Sequence, residues 1–593
     1  LHKRVQAGQR RKGYSMTYAT QRDRAYRGGG VQRSFDRARL AQWLIFIVTA
    51  ALMLAPALPI LLQVFVDRPL YADDWQFTLS NIGDILQSER IGRIALTTGI
   101  FAVFSVIIAE VLGIGAALLI GRTDLPGRQI MGDVLMWPLY LSHLIFALGW
   151  VVMYGPSGFI TQSIAQHVGG TPWNLYSIAG MAVVAGISQA PLAYLYCLYG
   201  AVRSVDSTLE SAARTVGCGP LQVLRRVTLP LMVPSIITSS ALNLVIAVET
   251  LSIPLFLARP ARIDTLSTFL YAEGIAASNP NHGLVAASSL LLMLLVGSAL
   301  MVQRILLRQG HRYETVKGKG TRPMVLSLGK LRWPLAALTG LILLVAVVVP
   351  IAGILLRAFT SFLSPLVPVT KVLTFANFEQ LLGNPANLRA ISNTFQISFV
   401  SAALGTVLAV AVALVIQRSS FKFTGTLEAL AYSPRVIPGM ITGLGIFYAA
   451  IILPPMGWLR GNIGIMVVAY VMATLPLALG VIQPAIIQIG RDLDKAARTV
   501  GADWVSSMRL VMMPLLKPAL LGSFILLFVF HLKSYIIAIF LIAPGLEIMG
   551  VTMLSLWTNG DVGELAAFAT LQILMVAVLL ILSRLLFKVK IYD

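Results

Sequence analysis

The feature that most limits what this chain can become is the recurrence, from end to end, of apolar runs about twenty residues long. In helical form such a run rises about 30 Å, the thickness of a bilayer's hydrocarbon layer. Hydropathy reading places about twelve of them, at 41–65, 94–120, 131–154, 177–202, 233–257, 284–308, 334–357, 391–417, 428–453, 463–486, 517–541 and 564–587. With 57% of residues hydrophobic and 12% charged, too little polar surface remains to cover a soluble core of this length. The reading is an all-α polytopic membrane protein. Its two cysteines, Cys197 and Cys218, can build neither a disulfide framework nor a cysteine-based metal site.

Charge then orients the spans. The segment before residue 40 carries eleven Lys and Arg against Asp23 and Asp36, and the stretch 309–333 between the halves is also basic. The intervening loops on the other face lean acidic, with Asp67, Asp73, Asp74, Asp84 and Glu89 in one and Glu547, Asp561 and Glu564 in another. Because basic loops stay cytoplasmic, both termini are expected inside, and most of the formal net charge of +21 becomes a topology signal rather than a nucleic-acid footprint. Arg37, Arg39 and the Ala55-Pro56-Ala57 triplet imitate a signal peptide. The apolar run continues past the triplet to Val64, however, and the charged leader is too long, so this segment is read as a first span. Met16 offers an alternative start to Leu1.

The chain repeats itself. At an offset of 284, Ala212, Ala213, Arg214, Thr215, Val216 and Gly217 fall on Ala496, Ala497, Arg498, Thr499, Val500 and Gly501, while Pro230 falls on Pro514. Earlier spans align at an offset of 296, including Arg122 with Arg418 and Gly149 with Gly445. Six spans per copy is an even number, so the copies run parallel, related by an axis along the membrane normal. The expected organisation is a basic tail (1–40), one six-span half (41–308), a linker (309–333) and a second half (334–593).

The repeated phrase, between the fourth and fifth spans of each half, has its own physics. Ser207-Thr208-Leu209-Glu210 reads as a capping box, and Gly217 as the left-handed end of a short helix. Ala212 and Ala213 keep one face slim, Arg214 offers a fork of donors, and Pro230 is expected to break a second short helix before the next span. Such a rigid, charged elbow suits docking. These residues resemble the EAA loop of ABC importer permeases: Glu-Ala-Ala, three residues, Gly, nine residues, then Ile-x-Leu-Pro. Both copies keep the two alanines, the Gly, the spacing and the Pro. Both depart at the Glu, which is Ser211 in one copy and Lys495 in the other, with Glu210 and Asp494 one position earlier.

The resemblance extends over nearly all of residues 41–593, and "ETLSIPLFLARPARIDTLSTFLY" and "GHRYETVKGKG" look like the double-length permeases of the ferric-iron type. It implies a type I importer fold in which two halves form one pathway in a bacterial inner membrane. It also implies two copies of a separate ATPase, carrying ATP and magnesium, docked on one face. A periplasmic or lipid-anchored solute-binding protein would dock on the other. No Gly-x-x-x-x-Gly-Lys-Ser/Thr phosphate loop is present, so hydrolysis is expected on those partners and no cofactor in this chain. The alternative is a twelve-span secondary transporter of the major facilitator type. "GRTDLPGRQ" at 121–129 imitates its second-loop motif, but Leu125 replaces a required base and Gly121 lies one residue too close to Asp124. A tight turn fits better.

Ionisable residues within spans mark a pathway or a paired structural site. Glu110, with Gly113 allowing close approach of a neighbour, reads as a satisfied structural carboxylate. Glu249 and Lys533 occupy equivalent places in the two fifth spans, where a two-fold axis would set opposite charges face to face. They are the expected gate latch or substrate station, with Asn243 and His531 nearby. Ferric iron, thiamine and phosphonates are the solutes the resemblance suggests.

Overall fold

The computed structural model describes residues 19–202, 207–308, 326–490, 492–499 and 501–587. The first eighteen residues and most of the linker fall outside them, as do the side chains of Glu210, Lys495 and Arg498. Among the described residues, eleven helices are long and apolar enough to cross a membrane, and one further bent pair makes up to twelve. One continuous apolar core runs through both halves.

Each half departs from six simple rods in the same two places. The third span, read from hydropathy as one helix, is two. In the first half they are Arg128–Tyr140 and His143–Tyr154. In the second half they are Thr424–Arg435 and Gly439–Ile452, bent by 109°. Ser142 takes an extended conformation and caps the outer helix, its hydroxyl accepting the Ile145 N–H at 3.2 Å. Pro438 does the corresponding work in the second half, being extended itself and excluding helix from the residue before it. Hydropathy merges the two helices because the few polar residues at each break, Ser142 and His143 in one half and Ser433 and Arg435 in the other, are outweighed by apolar ones on either side.

The fifth spans also differ from expectation. They run Leu224–Glu249 and Trp504–Lys533, ending at the two charged residues rather than at 257 and 541. Beyond them the chain forms short helices packed inside the bundle, such as Ser252–Leu257, whose residues are almost wholly buried. Equivalent threonines on the second spans hold these segments: Thr98 accepts the Leu266 N–H at 2.9 Å and Thr394 the Met549 N–H at 2.8 Å. Nor do Pro230 and Pro514 break a helix. A π-turn precedes each, at Leu224–Thr228 and Met508–Met512, and the helix continues through it. The wider turn carries the chain past a residue that has no N–H to give.

The first span of each half packs on the third span of the other. Gly149 lies against the Pro350 carbonyl, and its repeat partner Gly445 lies against the Pro56 carbonyl. A Cβ at Gly149 would stand 2.5 Å from the Pro350 oxygen, so the crossing is built on the absence of a side chain. The halves are thereby clasped rather than merely adjacent.

The linker ends on the loop that had imitated a transporter motif. Leu326 donates its N–H to the Arg122 carbonyl at 2.6 Å and accepts from Asp124 N–H at 3.2 Å. The Asp124 carboxylate accepts the Leu328 N–H at 2.8 Å and the Ser327 hydroxyl at 3.3 Å. Those bonds, the first above all, hold its carboxyl below the usual aspartate range.

Candidate functional site

The repeated phrases form two short helices, Ser207–Thr215 and Asp492–Thr499. The first already includes Ser207, so that residue opens the helix rather than preceding it as a cap; residue 206 lies outside the described residues. Gly217 and Gly501 are both left-handed, at φ +86° and +92°. Cys218 N–H reaches the Ala213 carbonyl at 3.1 Å, and Ala502 N–H reaches that of Ala497 at 3.1 Å. This is a Schellman ending in each copy. Open space surrounds the Cα of both glycines, so backbone conformation alone requires them. Ser211, Ala212 and Ala496 are exposed, as are Leu209 (41%), Val216 (78%) and Leu493 (46%). A slim polar helix carrying exposed apolar side chains is suited to a partner's groove.

Asp494 behaves differently from its neighbours and turns inward. Its Oδ2 accepts from Nη1 of Arg418 at 3.1 Å, with the Arg and Asp side chains 4% and 12% exposed. The other guanidinium nitrogen donates to the Ile486 carbonyl at 2.7 Å and to that of Ile489. Expected on the docking surface, this carboxylate is spent inside its own half.

At the far ends of the fifth spans, Glu249 and Lys533 do not form the expected ion pair. Each bonds instead across the halves, onto the break in the opposite third span. The Glu249 carboxylate accepts the N–H of Gly439, the first residue of the outer half-helix Gly439–Ile452. The Lys533 ammonium donates to the carbonyl of Leu139, the penultimate residue of the inner half-helix Arg128–Tyr140. An anion thus meets a helix N-terminus and a cation meets a helix C-terminus, the favourable sense in both cases. A Cβ at Gly439 would sit 2.6 Å from the Glu249 oxygen, so a side chain there would push the carboxylate off this contact. The two charged residues are related by the repeat, but their partners lie on opposite sides of the break, one at the start of an outer half-helix and one near the end of an inner half-helix. Together the contacts join the two halves.

Asn243 and His531, grouped with this pair on sequence, lie elsewhere. Asn243 is fully buried and donates to Glu110 Oε1 at 3.2 Å, while Ser239 donates to Oε2 at 2.9 Å. Glu110 is therefore the satisfied structural carboxylate that the sequence suggested, and Gly113 beside it admits the backbone of Tyr194. His531 is equally buried, stacked on Tyr470 and held between Ser401 Oγ at 2.7 Å and Thr474 Oγ1 at 3.0 Å. Both are interior polar groups whose partners lie in their own half, and neither side chain hydrogen-bonds Glu249 or Lys533 among the described residues. His531 is two residues from Lys533, about half a turn along the helix, and so lies on a different face.

On the membrane face opposite the elbows, a cavity of about 590 Å³ opens between the halves. His282, at its rim, hydrogen-bonds Tyr448 of the other half at 2.6 Å and Tyr71 at 3.2 Å. Arg460 and Phe447 also line it.

Comparison with known proteins agrees with this architecture. Residues 30–309 and 405–589 each match the model of the family described as binding-protein-dependent transport system inner membrane component. The chain belongs to this family. It carries the domain twice, as a double-length permease of the type I importer fold. It is similar to the ferric transport system permease protein FbpB of Actinobacillus pleuropneumoniae, with 24% identity across 92% of this chain and 79% of that one. A second relative is the putative ferric transport system permease protein FbpB 1 of Haemophilus influenzae, at 25% identity across 83% and 76%. The putative 2-aminoethylphosphonate permease PhnU of Salmonella typhimurium matches 40% of this chain at 24% identity, over 82% of its own length. Among solved structures, a bacterial alginate ABC transporter in complex with its alginate-bound periplasmic protein aligns over 41% of this chain and 85% of its own, at 20% identity and a TM-score of 0.36. Family membership makes the chain a multi-pass inner-membrane transport permease and does not favour the major-facilitator alternative.

Proposed function

We propose that this permease forms the translocation pathway of a binding-protein-dependent ABC importer for a small charged solute, ferric iron or a related substrate such as thiamine or a phosphonate. Two copies of a separate ATPase bind the elbows at Ser207–Thr215 and Asp492–Thr499 and carry the ATP and magnesium. Both termini lie in the cytoplasm, and a periplasmic or lipid-anchored binding protein delivers solute to the opposite face. The observation that carries this reading is the pair of elbows. Each has a left-handed glycine end and an exposed slim face, and the two are equivalent under the repeat. A single passive interface helix would need neither duplication nor a positive φ.

The pathway runs between the halves, and the contacts of Glu249 and Lys533 on the broken third spans form its closed gate. When the elbows move, the fifth spans carry both charges off the half-helix ends. The ferric reading rests on the relatives that cover most of the chain. Reconstitution in vesicles tests the whole: solute should accumulate only with binding protein on one side and ATPase plus ATP on the other. Accumulation driven by an ion gradient, with no ATPase present, would sink the proposal.

A further inference from the structure

Arg418 sits where four elements of the second half meet. It is the last residue of the second span, Pro385–Arg418, and its side chain is almost wholly buried. Its guanidinium grips the end of the fourth span through the Ile486 and Ile489 carbonyls, and the coupling helix through Asp494. Its own carbonyl accepts the indole N–H of Trp504 at 2.9 Å, where the fifth helix begins. That helix then runs unbroken to Lys533 at the gate. Between its guanidinium and its carbonyl, this one residue joins the elbow to spans two, four and five. Its repeat partner Arg122 is equally buried, at 2% exposure.

We infer that Arg418 is a positioning residue, with Asp494 the coupling helix's handle on it, so that movement of the elbow is transmitted to three spans as one body. This rests on the elbows being the ATPase-docking elements. In the second copy it also accounts for the departure from the EAA pattern: Asp494, the acid one residue early, is directed at the permease itself, not at a partner. Only a planar fork can hold a carboxylate and two carbonyls together, which a lysine ammonium cannot do in that geometry.

The test uses the complete complex with ATPase and binding protein. Removing one partner strands a buried charge, whereas replacing both with apolar residues is often tolerated. The double variant Arg418→Met with Asp494→Leu should therefore assemble with the ATPase and unfold near the wild-type temperature. Its solute transported per ATP should nonetheless fall about tenfold, within the range for residues in one network. Arg418→Lys should show the same uncoupling, and Asp494→Asn a smaller one. A wild-type transport ratio in the double variant overturns the inference. If that variant does not fold, a wild-type ratio in Asp494→Asn overturns it instead. Failure of the wild-type chain to bind the ATPase would refute the docking reading, a separate outcome.

Discussion

Exchanging the charges at 249 and 533, the proposed gate, separates the observed geometry from a direct ion pair. The perturbation is Glu249→Lys combined with Lys533→Glu. A direct pair would survive inversion, because the positions are equivalent under the repeat. The structure shows instead an anion on the Gly439 N–H and a cation on the Leu139 carbonyl. Inversion would set a cation against a helix N-terminus and an anion against a C-terminus. A full charge at a partly buried helix end is worth up to about 2 kcal/mol. Glu249→Gln alone, or Lys533→Met alone, should thus shift the closed state by about 1–2 kcal/mol, roughly five- to thirty-fold in population. The inverted pair loses both contacts and gains two repulsions, so its shift should be at least the sum of the singles, about 2–4 kcal/mol. ATPase activity without binding protein reads gate loosening, and hydrogen exchange at the Gly439 amide reads the contact itself. Both should rise in the order wild type, single variants, inverted pair. An inverted pair closer to wild type than either single variant would refute the reasoning.

Two further outcomes follow. Gly217→Val or Gly501→Val forces a β-branched residue into the left-handed region, costing about 1–2 kcal/mol at a site with no steric obstacle. Each should leave membrane insertion intact and lower the amount of ATPase recovered with the purified chain, and equal recovery would make the elbows passive. The Asp124 contact with Leu328 has a pH signature, because a depressed carboxyl stabilises docking fully above the unfolded value near 3.8 and loses that contribution as pH falls through its folded value. At neutral pH, Asp124→Asn should therefore hasten tryptic cleavage at Lys330 and Arg332, and an unchanged rate would show that the carboxylate does not hold the linker.

The repeat was legible because Ala-Ala-Arg-Thr-Val-Gly survives letter for letter, and the spans because twenty apolar residues have few other uses. Positive φ at Gly217 and Gly501 followed from their place after a short helix. What sequence concealed was every event inside an apolar run. Hydropathy does not register a break between Tyr140 and His143, or the end of a helix at Lys533, when the residues beyond are buried too. Pro438 and Gly439 carried the signal for one break, since proline keeps its predecessor out of the helix. Opposed charges at 249 and 533 suggested each other, but their real partners are backbone groups that no sequence pattern displays. Asp494 belongs by sequence to the docking phrase, and only the fold shows its carboxylate turned onto Arg418. His531 shows the reverse limit: its partners Ser401 and Thr474 come from two other spans.

Native mass spectrometry of the purified complex tests the central claim most directly, since one chain bearing two equivalent elbows should carry two ATPase subunits. The expected species is one permease chain with two ATPase copies, and the isolated chain should hydrolyse no ATP. A complex that saturates at one ATPase copy, or nucleotide hydrolysis by the chain alone, would contradict the account.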